Sequence, residues 1–143
     1  MDHVAIMKKS WGLIPKILNG KKTIESRWYL TKKPPFGKIV IGETIYFKNS
    51  GEPVTAKATV AAVRQFENLN SRKVSAIIDE FGGEGKICLG NKNKARDLFS
   101  KKKYCVLVFI KDPKKIRPFN IDKSGYGLMS AWISLNRIEQ IKT

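Results

Sequence analysis

The sequence predicts an α+β fold, a curled mixed sheet or small β-barrel with two or three peripheral helices. Three features carry this. From Val54 to Val63, apolar Val54, Ala56, Ala58 and Val60 alternate with polar Thr55, Lys57 and Thr59, the two-residue period of a strand with one solvated face. Tyr104 to Ile110 is an apolar run of strand length, as expected for a central strand. Stretches with apolar residues at helical spacing are inserted among these strands. With 143 residues the chain can bury a core without disulfides or metals, and residues 1–143 are expected to form one domain.

The elements follow in order. His3 to Met7 is a short, mostly apolar strand. Ser10 can cap a helix from Trp11 to about Asn19, with Leu13, Ile14, Ile17 and Leu18 as its apolar stripe, Pro15 in its first turns and Gly20 as its stop. A strand follows directly after Lys22. Thr31 to Lys38, with Pro34-Pro35 and Gly37, is a loop, and Gly42-Glu43 turns the chain into a strand from Thr44 to Lys48. Asn49-Ser50-Gly51 makes the hairpin turn into the long strand that begins at Val54. Val74, Ile77, Ile78 and Phe81 define a helix over residues 71–81, which Gly82-Gly83-Glu84-Gly85 breaks. Asn93 to Lys101 is a second short helix. After Tyr104 to Ile110, Ile116 to Phe119 continues an edge, and Ala131 to Leu135 is the last strand.

The charge balance narrows the function. Twenty-eight Lys and Arg face twelve acids, a net of +16. The excess lies at the ends, with ten bases against three acids in residues 1–50, eight against six in 51–100, and ten against three in 101–143. No like-charge block is longer than Lys101-Lys102-Lys103, so the excess belongs to a folded surface and not to a tail. Such a surface favours polyanions, and RNA or another nucleic acid is the expected partner. One histidine and two distant cysteines, Cys88 and Cys105, give no metal-ligand spacing and no paired redox motif, so neither metal nor cofactor is expected. Free cysteines fit a reducing, cytoplasmic setting. No segment has the length and apolarity of a membrane span or of a signal sequence.

The run Gly20-Lys21-Lys22-Thr23-Ile24-Glu25-Ser26-Arg27-Trp28 is the most informative. In an extended conformation Thr23, Glu25 and Arg27 share one face, while Ile24 and Trp28 anchor the other. The first face sets a hydroxyl, a carboxylate and a guanidinium in a row, with Lys21-Lys22 at the helix-to-strand corner. This suits a polar cleft, and it equally suits an edge strand whose charged face meets water. Aromatics stand beside bases at Trp28-Tyr29 and at Lys32-Lys33-Pro34-Pro35-Phe36. Tyr29, Phe36 and the glycine-flanked Tyr126 are the candidates for stacking on bases, with Trp28 assigned to the core.

These residues resemble the ASCH domain of the PUA-like superfamily. The resemblance rests on Leu18-Asn19-Gly20-Lys21-Lys22-Thr23-Ile24-Glu25-Ser26-Arg27, on Gly42-Glu43-Thr44-Ile45-Tyr46-Phe47, and on the strand Ala58 to Val63, in that order. It covers residues 3–70 and weakens beyond them. It implies a PUA-like β-barrel with a cleft between barrel and first helix, and an RNA-binding module or, in a few members, an enzyme acting on RNA or nucleosides. Small acetylcytidine amidohydrolases of this family resemble the chain around Lys22 and Arg27. Their lysine matches Lys22, but their threonine nucleophile falls at Glu25, and Glu80 and Glu84 are the candidates for their downstream glutamate.

The expected function is therefore RNA binding in a basic cleft formed by Lys21, Lys22, Thr23, Glu25, Arg27, Tyr29, Lys32, Lys33 and Tyr126. The alternative is a hydrolase, a ribonuclease or an enzyme for a modified nucleoside, with Lys22 and Glu25 as its catalytic pair. Because a glutamate stands where the resemblance implies the nucleophile, little hydrolysis of acetylcytidine is expected.

Overall fold

The computed structural model describes residues 1–127 and 129–143. Among these, six strands form one curled, mixed sheet: β1 Asp2–Met7, β2 Ile24–Tyr29, β3 Thr44–Asn49, β4 Val54–Phe66, β5 Tyr104–Phe119 and β6 Trp132–Leu135. Their order is β2-β5-β4-β3-β1-β6. Only β1 and β3 run parallel; the other pairs are antiparallel. The helices are α1 Leu13–Leu18, α2 Ser71–Phe81 and α3 Lys92–Phe99. The α+β half-barrel with peripheral helices is the architecture the sequence predicts.

The curl has a local cause. The long β4–β5 ribbon slips register at three places, between Val54 and Ala56, Lys57 and Thr59, and Val60 and Ala62. Each extra residue bends the strand and increases its twist. The concave face and α1 enclose one core, with Met7, Ile17, Phe47, Val60, Val106 and Trp132 among its members. On the other face Ile24, Trp28 and Leu107 meet the apolar stripes of α2 and α3. Strand β5 supplies both layers, Val106 and Val108 inward and Cys105 and Leu107 outward, which is why its sequence is apolar without alternation. A third cluster covers the outer side of β1 and β6 with Ile138 and Ile141.

Closure of the half-barrel falls to one side chain. Strands β2 and β6 are the sheet's edges, and Arg27 on β2 reaches across the gap. Its Nη1 donates to the Ala131 carbonyl at 3.0 Å and its Nη2 to the Ile6 carbonyl at 3.4 Å. The guanidinium also lies 5.1 Å from the centre of the Trp132 ring. The carbonyl of Ala131 accepts the Ile6 N–H as well, so strand pairing and the arginine converge on one oxygen.

One expected element is corrected. The single helix from Trp11 to Asn19 is divided into a 3-10 turn, Lys9–Trp11, and α1. Gly12 takes a left-handed conformation (φ 59°) between them, and Ser10 lies inside the turn instead of capping a helix. Elsewhere α2 spans residues 71–81 as expected, α3 is shifted slightly toward the N-terminus, and β4 and β5 extend past Val63 and Ile110. Among the described residues, no helix is long and apolar enough to cross a membrane.

Candidate functional site

A cavity of about 450 Å³ lies at the N-terminal end of β2, between α1 and the segment leading into α3. Lys22, Glu25 and Ser26 come from the motif, Lys16 from α1, Cys88 from the loop after α2, and Lys94 and Phe99 from α3. Trp11 lies at its rim, half exposed.

Local folding explains why Lys22 points inward. Helix α1 stops at Asn19-Gly20, with Gly20 at φ 81°. The chain then runs alongside the loop after α2: Gly85 N–H donates to the Lys21 carbonyl, and Thr23 and Ile24 N–H groups donate to the Lys86 carbonyl. Lys22 is only 3% exposed, and its Nζ donates to the carbonyls of Ile24 at 2.8 Å and Ile87 at 2.9 Å. Burial holds its amine below the ordinary lysine range, opposed by the nearby charge of Glu25.

Glu25 is 4% exposed. Its Oε2 lies 3.8 Å from Lys22 Nζ, beyond hydrogen-bond reach, and has no hydrogen-bond partner. Its Oε1 lies 3.5 Å from Arg27 Nε, which is likewise buried without a hydrogen-bond partner. The carboxylate is therefore flanked by two cations while one of its oxygens stays unsatisfied at a cavity wall. A buried oxygen of this kind is costly unless something donates to it.

The structure divides the other expected residues. Thr23 precedes β2, and its hydroxyl donates to the Gly85 carbonyl at 2.7 Å, so it serves the loop and is absent from the cavity wall. Arg27 sits beside Glu25 but spends its guanidinium on the barrel seam. The concave surface expected to display Lys22, Glu25 and Arg27 together thus presents the first two. Ile24 packs beneath it, against the α2 and α3 layer. Lys21 is exposed at the corner.

Tyr29, Lys32 and Lys33 lie toward the opposite end of β2. Four residues of strand, about 13 Å, separate Tyr29 from Glu25. Tyr29 Oη donates to the Pro34 carbonyl and fastens the loop, and burial raises its hydroxyl's proton affinity. Lys32 pairs with Glu67 at 3.6 Å and lies over the rings of Phe36 and Tyr104, whereas Lys33 is exposed. Phe36 packs on the core, edge-on to Tyr104. Tyr126 is 38% exposed in a turn away from the cavity, and Glu80 and Glu84 are exposed outside it.

Sequence reasoning missed Trp11, Lys16, Cys88, Lys94 and Phe99 as cavity residues. Phe99 stacks on Trp28, with ring centres 4.7 Å apart and planes 9° from parallel, so the motif's tryptophan supports a cavity wall from behind. A signal for Lys16 existed, since it lies one and a half turns before the corner on the helix the motif follows. None existed for α3.

No protein-family model matches the chain, and no curated protein matches it in sequence. Solved structures do. An ASCH protein from Zymomonas mobilis superposes with a TM-score of 0.68 at 18% identity, over 97% of this chain and 90% of that one. A single-substitution variant of the same protein gives 0.69 at 19% identity, over 97% and 91%. A hypothetical protein, PH0355, gives 0.54 at 19% identity, over 81% of this chain and 100% of its own. The fold is that of an ASCH domain, as the motif's resemblance implies.

Proposed function

We propose that this ASCH-fold chain binds single-stranded RNA, taking one unstacked base into the cavity beside Lys22 and Glu25 while lysines at the rim meet backbone phosphates. The cavity's composition supports this reading. Its volume of about 450 Å³ suits one nucleoside. Trp11 and Phe99 offer ring faces for stacking, and Lys16 and Lys94 flank them. Lys22 and Glu25 set a donor next to an acceptor, the pattern needed to read the edge of a base that carries both. The net charge of +16 adds a field that attracts the backbone. Tyr29, Lys32, Lys33, Lys21 and Tyr126 would then contact the strand outside the cavity.

Fluorescence anisotropy with a labelled single-stranded RNA tests this reading. Affinity is expected in the micromolar range or tighter at low salt. It should fall on a log–log plot against salt with a slope near ~0.7 for each phosphate contact. Replacing Lys16 and Lys94 with alanine should reduce that slope by about one to two contacts. Absence of binding to any RNA at low salt would defeat the proposal.

A second reading, hydrolysis of RNA or of a modified nucleoside in the same cavity, draws on one observation. Burial holds Lys22 below its ordinary range, which brings a base nearer to neutral pH beside a carboxylate. Cleavage of bound RNA by the wild type and not by Lys22→Met would move the assignment from binding to catalysis.

A further inference from the structure

We propose that Cys88 is the nucleophile of an acyl-transfer centre in this cavity, with Glu25 as its base and Lys22 as the donor to the tetrahedral oxyanion. Cys88, Glu25 and Lys22 line the same cavity. Cys88 is a free thiol, partly accessible, whereas Cys105 is sealed in the core. Its backbone is left-handed, at φ 62°, which a side chain other than glycine rarely adopts. The turn is held there by hydrogen bonds: Cys88 N–H donates to the Gly83 carbonyl at 3.0 Å and Leu89 N–H to the Gly82 carbonyl at 2.9 Å. Surroundings that enforce a costly conformation on a nucleophile are the pattern found at reactive centres.

The second, independent observation is Glu25. Its Oε2 is buried at the cavity wall without a hydrogen-bond partner, an acceptor with no donor. A thiol, a water or a leaving group entering the cavity would supply one. Lys22 completes the set. Two of its three N–H groups are spent on the carbonyls of Ile24 and Ile87, and the second of these belongs to the residue just before Cys88. The remaining N–H is free to face an oxyanion. The backbone N–H groups of Cys88 and Leu89 are already taken, so the charge must be met by the lysine.

The chemistry closes with these three groups and water. An ester or amide, R–CO–X, enters; Cys88 Sγ bonds to the carbonyl carbon as its proton passes to Glu25. Collapse of the tetrahedral intermediate breaks the C–X bond, X departs with the proton held by Glu25, and R–CO–S–Cys88 remains. Water then gives a proton to Glu25 and its oxygen to the acyl carbon. The thiolate leaves, takes the proton back, and R–COOH is released. Glu25, standing where the resemblance implies a nucleophile, thus takes the role of base, and the expectation of a cavity lacking a nucleophile is replaced.

The test uses the full chain and p-nitrophenyl acetate, which carries no nucleotide, so its outcome is independent of RNA binding. The expected result is an acetyl group on Cys88, located by peptide mass spectrometry. It should form at least about tenfold faster than on N-acetylcysteine at the same pH. Cys88→Ser should lose that adduct, Cys105→Ala should behave as wild type, and Lys22→Met should slow acylation. Glu25→Gln should slow deacylation, so that the thioester accumulates. Acylation of Cys88 no faster than of the free thiol, or confined to surface lysines, would overturn the proposal, as would rates unchanged in folded Lys22 and Glu25 variants. Should a variant fail to fold, the wild-type comparison with N-acetylcysteine decides.

Discussion

At the scale of single residues, buried polar groups divide into those that build the fold and those left with unused capacity. Arg27 is of the first kind, since it holds the two edges of the half-barrel together through carbonyls on β1 and just before β6. Arg27→Ala should therefore cost about 2–4 kcal/mol of stability, read as a lower denaturation midpoint in urea, because a buried carboxylate and two carbonyls lose their partner. His3 belongs to the same class. Trp132 Nε1 can only donate, so His3 Nδ1 accepts its bond at 3.1 Å, and Nε2 carries the proton given to Glu43 Oε1 at 2.9 Å. Burial holds this imidazole below its ordinary value of 6.5, against the raising effects of the Glu43 hydrogen bond and charge. The unfolded chain thus takes up a proton first as pH falls. The contribution of neutral His3 is complete above pH 6.5 and is lost as pH drops toward the folded value. The thermal midpoint should accordingly fall between pH 7 and pH 5, and His3→Gln should flatten that part of the profile.

At the scale of elements, the cavity depends on the break between the Lys9–Trp11 turn and α1. Gly12, with φ 59°, turns the chain so that Trp11 and Leu13 both reach the cavity. A Cβ at Gly12 would meet nothing within 4 Å, so the cost of a substitution is purely conformational. Gly12→Ala should lose about 1–2 kcal/mol, and Gly12→Asn less, because asparagine tolerates the left-handed region. Thermal denaturation of the two variants checks the order. The sequence concealed this break because Leu13, Ile14, Ile17 and Leu18 keep helical spacing whether or not the turn before them is part of the helix. By contrast, α2 was legible to its last residue, since its apolar stripe and the glycines after it agree. The site was legible only in its first half. Strand alternation placed Ile24 and Trp28 in the core and left Glu25 on the polar side. Alternation is silent on what packs opposite, so the wall from Cys88 to Phe99, more than sixty residues downstream, left no trace in the motif. The same silence hid the fate of Arg27, whose partners lie on strands far away in sequence.

At the scale of the whole molecule, the sheet brings the first and last strands side by side, β1 against β6, and thereby joins the two basic ends of the chain. The β4–β5 ribbon adds lysines of its own. Lys57 stands directly opposite Lys114, a like-charge pair that costs stability unless an anion lies nearby. This surface explains attraction to a polyanion but not where a base is held. The account's central claim is that the cavity at Lys22 and Glu25 receives it, and photo-cross-linking of bound single-stranded RNA followed by peptide mapping tests that claim most directly. The account predicts nucleotide adducts on Trp11 and Phe99, diminished in Glu25→Gln. Adducts confined to Tyr29, Phe36 or Tyr126, with Trp11 and Phe99 unmodified, would contradict it.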